Sequence, residues 1–456
     1  MPSLRFPLAA LALGLLIALP AQAGDWIEFT DETATRIVAD SAVSLTDAEE
    51  KDFATGDVDR DGDTDLLVAR KTPFTNSGGK RNVLFMNEDG VMTDRTSALA
   101  PDMLDETDDR DIVLVDLDGD TWLDVVTGTT LGDQPRVYMN LGEDVGGTWL
   151  GFDWNAADGR LPTFNPAPQF CALAFGDIDN DGDPDLYFVD YDNTLEDRLL
   201  INDGNGFFTD ETSVRMTSAM SDSVFGTDAE ILDMNGDGWN DIVKTNSSGS
   251  QPPPDHQSSL SIIYNDGTGS FNFIDPVYEI APYMVEARDL NRDGRPDLYI
   301  VDDGQDVTLF NTGNNAQGRA EFTTEIIGPS PDTFDFGGNT ASADMNLDGN
   351  LDIFVADVDT DIPSCKRELT LLRGTGQAPN ISFEDPLVGA ARPWRQNGTF
   401  DIAIFDINGD EVPDLWIGHC QGTKVWMGDS VLNTSLFTED FDDGTFGGWE
   451  TIVGGP

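Results

Sequence analysis

One nine-residue frame, met seven times, constrains this chain more than any other feature. Its fullest copy is Asp177-Ile178-Asp179-Asn180-Asp181-Gly182-Asp183-Pro184-Asp185. Carboxylates stand at positions 1, 3, 5 and 9, and Gly at position 6 permits a sharp backbone reversal. A hard cation such as Ca²⁺ takes roughly six to eight oxygens at about 2.3–2.6 Å. A tight turn that presents alternate acidic side chains inward suits it, and a carbonyl at position 7 adds one more oxygen. The frame recurs at 57–65, 116–124, 177–185, 233–241, 289–297, 344–352 and 406–414, at spacings of 55 to 62 residues. A near-fixed period of this size marks a repeat architecture.

The expected metal ligands follow copy by copy. Loop one offers Asp57, Asp59, Asp61, Asp63 and Asp65; loop two offers Asp116, Asp118, Asp120 and Asp124; loop three offers Asp177, Asp179, Asp181, Asp183 and Asp185. The remaining four loops carry Asn at position 3. They are Asp233, Asn235, Asp237 and Asp241; Asp289, Asn291, Asp293 and Asp297; Asp344, Asn346, Asp348 and Asp352; and Asp406, Asn408, Asp410 and Asp414. More ligand charge gives tighter binding, so loops one and three are expected to fill first. Loops two and seven have Thr121 and Glu411 at position 6, with Gly119 and Gly409 at position 4. That shift leaves the geometry and occupancy of these two loops open.

The turn preference of Asp, Asn and Gly explains one such turn, but not the same acidic and amide positions in seven. Clustered carboxylates without a cation also repel. An EF-hand loop requires a bidentate Glu at position 12 and flanking helices. Here position 12 is Val68, Thr127, Phe188, Lys244, Ile300, Val355 and Ile417, all within apolar strand patterns. A dockerin-type pair fails for the same reason. Up to seven Ca²⁺ ions are expected, in loops that join one strand to the next.

Each frame sits in similar surroundings. A short strand precedes it (Cys171 to Phe175, for example), and a more apolar one follows it, such as Leu298-Tyr299-Ile300. A third comes after a variable loop, as in Leu260 to Tyr264. A hairpin signal such as Asn265-Asp266-Gly267-Thr268-Gly269 leads to a fourth, Phe271-Asn272-Phe273. Four strands per unit make an antiparallel blade, and seven blades make a closed β-propeller whose neighbouring faces bury each other. Phe29-Thr30-Asp31-Glu32-Thr33 repeats the fourth-strand segment Phe208-Thr209-Asp210-Glu211-Thr212 before any first loop has occurred. The N-terminal strand is thus expected to complete blade seven, with Ser435-Leu436-Phe437-Thr438 as its competitor.

The units Phe175-Gly176-Asp177-Ile178-Asp179-Asn180-Asp181-Gly182 and Arg198-Leu199-Leu200-Ile201-Asn202-Asp203-Gly204-Asn205-Gly206-Phe207-Phe208-Thr209-Asp210 resemble the FG-GAP/VCBS repeats of the integrin-α-type β-propeller. The resemblance implies a rigid, calcium-braced disc used in adhesion and in ligand or glycan recognition. It also extends to propellers carried by polysaccharide-degrading enzymes.

Charge and processing signals narrow the setting. Residues 1–23 read as a signal peptide: a basic start with Arg5, an apolar run from Phe6 to Pro20, and Ala21-Gln22-Ala23 as the cleavage site. The propeller is assigned to 24–440 and a Gly- and Asp-rich tail to 441–456. No later stretch is long and apolar enough to span a membrane, so a secreted, extracellular or periplasmic protein is expected. A net charge of −60 argues against nucleic acid or an anionic membrane as direct partner. The three cysteines include no C-x-x-C spacing, which argues against zinc. Cys365 and Cys420 follow the second strands of adjacent blades and are candidates to meet in a disulfide, with the pairing left open. Cys171 is expected as a buried thiol.

The expected place for a ligand is the face opposite the metal loops, where loops that differ between blades gather. Five residues before each frame stand Asp52, Asp111, Ala172, Asp228, Met284, Asn339 and Asp401. Of these, Asp52, Asp111, Asp228, Asn339 and Asp401 form a candidate ring for a cation or an amine-bearing ligand. Only two histidines, His256 and His419, are present, and no Ser/His/Asp spacing stands out. The reading is therefore a monomeric protein- or glycan-binding module without catalysis. The alternatives are a polysaccharide lyase or hydrolase on the same scaffold and a cell-surface structural component.

Overall fold

The computed structural model describes residues 27–429, leaving out 44, 74–75, 193, 248–257, 281, 303–305, 327–336, 358–368, 378 and 385–397. The signal segment, the tail and the Ser435–Thr438 competitor lie outside the described residues. So do Cys365 and His256.

The strands immediately after the acidic loops set the core. Asp65–Lys71, Asp185–Asp190, Asp241–Asn246, Asp297–Asp302 and Asp414–His419 are buried at every position. Burial on both faces explains their unbroken apolar runs, where a half-exposed strand shows alternation. Blade three has the basic plan: Phe170–Gly176, Asp185–Asp190, Arg198–Asn202 and Phe208–Asp210 pair in that order. All three pairings are antiparallel, with Leu173 opposite Phe188, Leu186 opposite Leu200 and Ile201 opposite Thr209.

Seven such blades form a ring in which each innermost strand packs against the next, and the last, Thr399–Phe405, packs against the first, Glu50–Gly56. The apolar core is divided accordingly into seven clusters, each shared by two neighbouring blades. Val113, Val115, Val126 and Val137 of blade two meet Leu173, Leu186, Phe188 and Leu200 of blade three. Trp416 and Phe405 of blade seven meet Leu66, Val68 and Phe85 of blade one. Each fully buried Leu or Phe contributes about 1.5–3 kcal/mol, and a blade removed from its neighbours would expose both its faces.

The N-terminal strand closes the ring. Glu28–Asp31 pairs antiparallel with Gly422–Asp429, Phe29 opposite Gly428 and Thr30 opposite Met427. The repeated Asp-Glu-Thr segment shows why the likeness to blade three holds. Asp31 Oδ1 accepts from the Thr33 N–H (3.0 Å) and hydroxyl (2.6 Å), and Thr33 Oγ1 accepts from Val425 N (2.9 Å). Asp210, Thr212 and Leu199 make the same set in blade three, and Asp94, Thr96 and Leu84 in blade one.

Two features depart from the repeat. Ile37–Val38 adds a fifth, parallel strand beside Met92–Asp94 of blade one. In blade two the outer strand shrinks to Phe152–Asp153, beyond the inserted residues 141–151.

The closure makes a testable contrast. Thr33→Ala leaves the buried Val425 N–H without its acceptor and should destabilise by about 1–3 kcal/mol in urea unfolding. Thr30→Ala removes an exposed hydroxyl bonded to Asp429 and should stay within about 0.5 kcal/mol. Equal effects would contradict closure through this strand.

Candidate functional site

The seven acidic loops share one backbone. In every copy the position 1 carboxylate accepts the N–H of position 6, at 2.7–3.1 Å. Positions 4 and 6 both have positive φ throughout. Loops two and seven share this backbone: Thr121 (φ 73°) and Glu411 (φ 65°) adopt the left-handed conformation that Gly takes in the other copies. A non-glycine residue there costs on the order of 1–2 kcal/mol and persists because the surrounding hydrogen bonds fix the turn.

Three loops bring acidic groups within 4.8 Å of one another: Asp57, Asp59 and Asp61; Asp116, Asp118 and Asp124; Asp177, Asp179 and Asp185. Asp63 and Asp183, at position 7, fall outside these groups. Buried Asp57 Oδ1, Asp179 Oδ1 and Asp344 Oδ1 have no hydrogen-bond partner, which fits oxygens poised for a cation. Loops four to seven, with Asn at position 3, carry less charge. Loops five and six also receive a guanidinium at position 5, Arg295 on Asp293 and Arg373 on Asp348 (3.1 Å).

Position 9 has a second duty. Asp65 Oδ1 accepts from Asn87 N (2.9 Å) and Oδ2 from Val58 N (3.2 Å), tying the loop to the end of the third strand. Asp124, Asp185, Asp241, Asp297, Asp352 and Asp414 do the same, with Gly374 and Gly428 as the third-strand donors in blades six and seven. The Asn at the end of the third strand then reaches the preceding blade's loop. Asn87 Nδ2 donates to Ile407 O (3.0 Å), Asn140 to Val58 O (2.9 Å) and Asn202 to Leu117 O (2.8 Å). Asn265 donates to Ile178 O (2.8 Å) and Asn311 to Met234 O (3.1 Å). In the sequence Asn202 and Asn265 read as hairpin residues, and the tie of these five asparagines to the preceding blade shows only in the structure, although their recurrence at one place in five blades is visible in the sequence.

Burial pushes the position 9 carboxyls up, against the downward pull of their backbone donors. Asp65 and Asp352 reach about 8, Asp124, Asp185, Asp241 and Asp414 about 7, and Asp297 about 6.

The polar ring expected before the frames exists as a buried layer tying blade to blade. Asp52 accepts from Ile112 N (3.0 Å), Asp111 from Leu173 N (2.5 Å) and Asp228 from Val285 N (2.8 Å), each in the next blade. Asp401 accepts from Phe53 N, and Asn339 Nδ2 donates to Asp52 (2.6 Å). Burial raises all four carboxyls, Asp111 to about 6, Asp401 to about 7, Asp228 to about 8 and Asp52 well above the ordinary range.

Next to this layer is a cavity of about 230 Å³ in the central channel, lined by Asp52, Asn339, Asp401, Glu230, Glu286 and Arg288 among others. Glu230 and Glu286 lie three residues before their frames. The sequence reading overlooked them because it compared one position only.

On the opposite face several of the described charged groups are already partnered. Arg70 pairs with buried Asp47 (2.9 Å), Lys71 with Glu50 (3.2 Å), and Asp190 accepts from Gln169 N and Asp192 N. Arg110 of blade two hydrogen-bonds Tyr283 of blade five across the ring. Cys171 is a buried free thiol, and Cys420 is engaged in a disulfide.

The family model for the FG-GAP-like repeat matches residues 53–127, 177–244 and 289–355. None of the curated proteins compared matches the chain. Among solved structures, a lectin of Agrocybe aegerita, described in its recognition of non-reducing terminal N-acetylglucosamine, is similar at 14% identity and TM-score 0.49. That match covers 83% of this chain and 87% of the lectin. The Photorhabdus luminescens Tc holotoxin pore is similar at 16% identity and TM-score 0.38 over 88% of this chain, which spans only 18% of the toxin chain.

The raised carboxyls fix the sign of a pH effect. A carboxyl whose folded pKa exceeds its unfolded value costs stability as pH rises from the unfolded pKa through the folded one, with the full cost reached above the folded pKa, so lowering the pH restores stability. In EDTA the melting temperature should therefore rise as pH falls from 8.5 to 5.5, read by calorimetry. A fall over that window would contradict the assignment.

Proposed function

The chain is an FG-GAP repeat β-propeller, and on that premise we propose that it is a secreted, calcium-braced binding module that recognises a protein or glycan without chemistry of its own. The observation that carries the reading is the contrast between its two faces. One face repeats a single loop geometry seven times. The other carries connections of unequal length between second and third strands, from 420–421 through 130–135 and 191–197 to 247–258 and 358–369. A recurring turn that fixes strands is a brace, whereas unequal loops on a rigid frame are where recognition is placed.

Calcium fits the donor set of the acidic loops, which is entirely oxygen. In loops one to three the carboxylates of positions 1, 3, 5 and 9 hold it, joined by the position 7 carbonyl. In loops four to seven an Asn oxygen takes position 3. The bound ion neutralises charge that the fold otherwise crowds together, so it acts on stability and on the rigidity of the disc. No helix among the described residues is long and apolar enough to cross a membrane. Pairing of Cys365 with Cys420 belongs to the same proposal, and peptide mapping without reduction tests it.

Recognition is tested with the calcium-loaded full chain on a glycan array and in an activity screen on acidic polysaccharides. The expected result is saturable binding without product, abolished when 248–257 and 358–363 are replaced by short Gly-Ser links that leave Cys365 and the buried Leu369 in place, while the melting temperature changes by no more than a few degrees. Product formation abolished by a substitution on that face would overturn the reading in favour of a polysaccharide-active enzyme.

A further inference from the structure

The central channel breaks the repeat in one place. Three residues before the frames, five blades carry Ala54, Val113, Ala174, Ala341 and Ala403, whereas blades four and five carry Glu230 and Glu286 side by side. Two acids on adjacent inner strands are costly to bury without compensation. The compensation present is partial. Glu286 Oε1 meets Arg288 Nε (2.9 Å) and the Ser342 hydroxyl, and Glu230 Oε1 accepts weakly from Ala287 N (3.4 Å). Glu286 is 4% exposed, lines the cavity, and its Oε2 has no hydrogen-bond partner.

The nearby aspartates do not supply the same opportunity. Asp52 and Asp401 line the cavity too, but both accept backbone N–H groups and share Asn339. The acceptors left for a ligand are the two glutamates, with the Ser342 and Thr340 hydroxyls in the same wall.

We propose that this cavity is a site for the ammonium group of a small primary amine, held by Glu286 and Glu230. An ammonium has three donors and no acceptor, which complements a wall whose free groups are acceptors. A wall of acceptors crossed by one guanidinium suits a monovalent group with several donors better than a divalent ion, which needs six or more oxygens around it. The Arg288 guanidinium also opposes close approach of a divalent ion. Space points the same way: a water needs on the order of 10–15 Å³ of such volume, so about 230 Å³ takes several non-hydrogen atoms. The site is separate from the acidic loops and from the opposite face, so it stands or falls independently of the binding role proposed above.

The test is titration of the full chain with ethanolamine hydrochloride, followed by calorimetry and ligand-observed NMR, in calcium sufficient to fill the loops. Saturable binding should appear in the unmodified protein and weaken at least tenfold in Glu286→Gln. Ser342→Ala provides a second variant, with a smaller weakening expected. Circular dichroism should match the parent and melting in calcium should stay within a few degrees of it in both variants, because Gln keeps an acceptor oxygen for Arg288 and the Ser342 hydroxyl. Absence of amine binding, or binding unchanged in both variants, overturns the proposal. So does a loss of calcium binding, in place of amine binding, in Glu286→Gln.

Discussion

The aspartate at position 9 is the contact on which this fold most depends. Its carboxylate is buried, and it joins three pieces of chain that would otherwise have no reason to meet: the acidic turn, the start of the second strand and the end of the third. Because each oxygen accepts a backbone N–H, the turn cannot shift without leaving a buried donor unpaired, at about 1–3 kcal/mol for each. The asparagine beside it passes the constraint to the preceding blade, as Asn140 does to Val58 O and Asn202 to Leu117 O. Seven local turns thereby become one ring.

The same arrangement separates structure from recognition. On the loop face the side chains shape each turn and tie it to the next: Asp57 Oδ2 accepts from Gly62 N, Arg60 stacks on Trp122 of the next loop at 3.9 Å, and Asn180 donates to Gly238 O. In the inner layer each carboxyl of Asp52, Asp111, Asp228 and Asp401 accepts from the next blade's innermost strand, so the acids that the sequence offers as a candidate ligand ring also tie blade to blade. The channel glutamates are different because their blades alone carry them and one oxygen is left over.

Much of the fold was legible because the repeat is written in residues whose chemistry is restrictive. A carboxylate at positions 1, 3, 5 and 9 has few other uses, and the apolar runs after each frame have the length of a buried strand. The ring closure was legible for the same reason: Asp31 and Thr33 repeat the Asp210 and Thr212 pair, and the structure gives both the same hydrogen bonds. The rest depended on distance in the chain. Arg110 and Tyr283 meet only because blades two and five face each other across the ring, and no local pattern records that. The geometry of loops two and seven stayed open in the sequence because position 6 lacks Gly, and the bonds made by Asp116 and Asp406 hold Thr121 and Glu411 in the left-handed turn.

Calcium is the claim on which the brace rests, and thermal unfolding with a count of bound ions tests it most directly. An ion that binds only the folded chain adds about 2.7 kcal/mol per site at a hundredfold excess over its Kd. The account predicts at least three calcium ions per chain, matching the three acidic clusters, and a melting temperature that drops substantially in EDTA and recovers when calcium returns. Fewer than three bound ions together with an unchanged melting curve would contradict it.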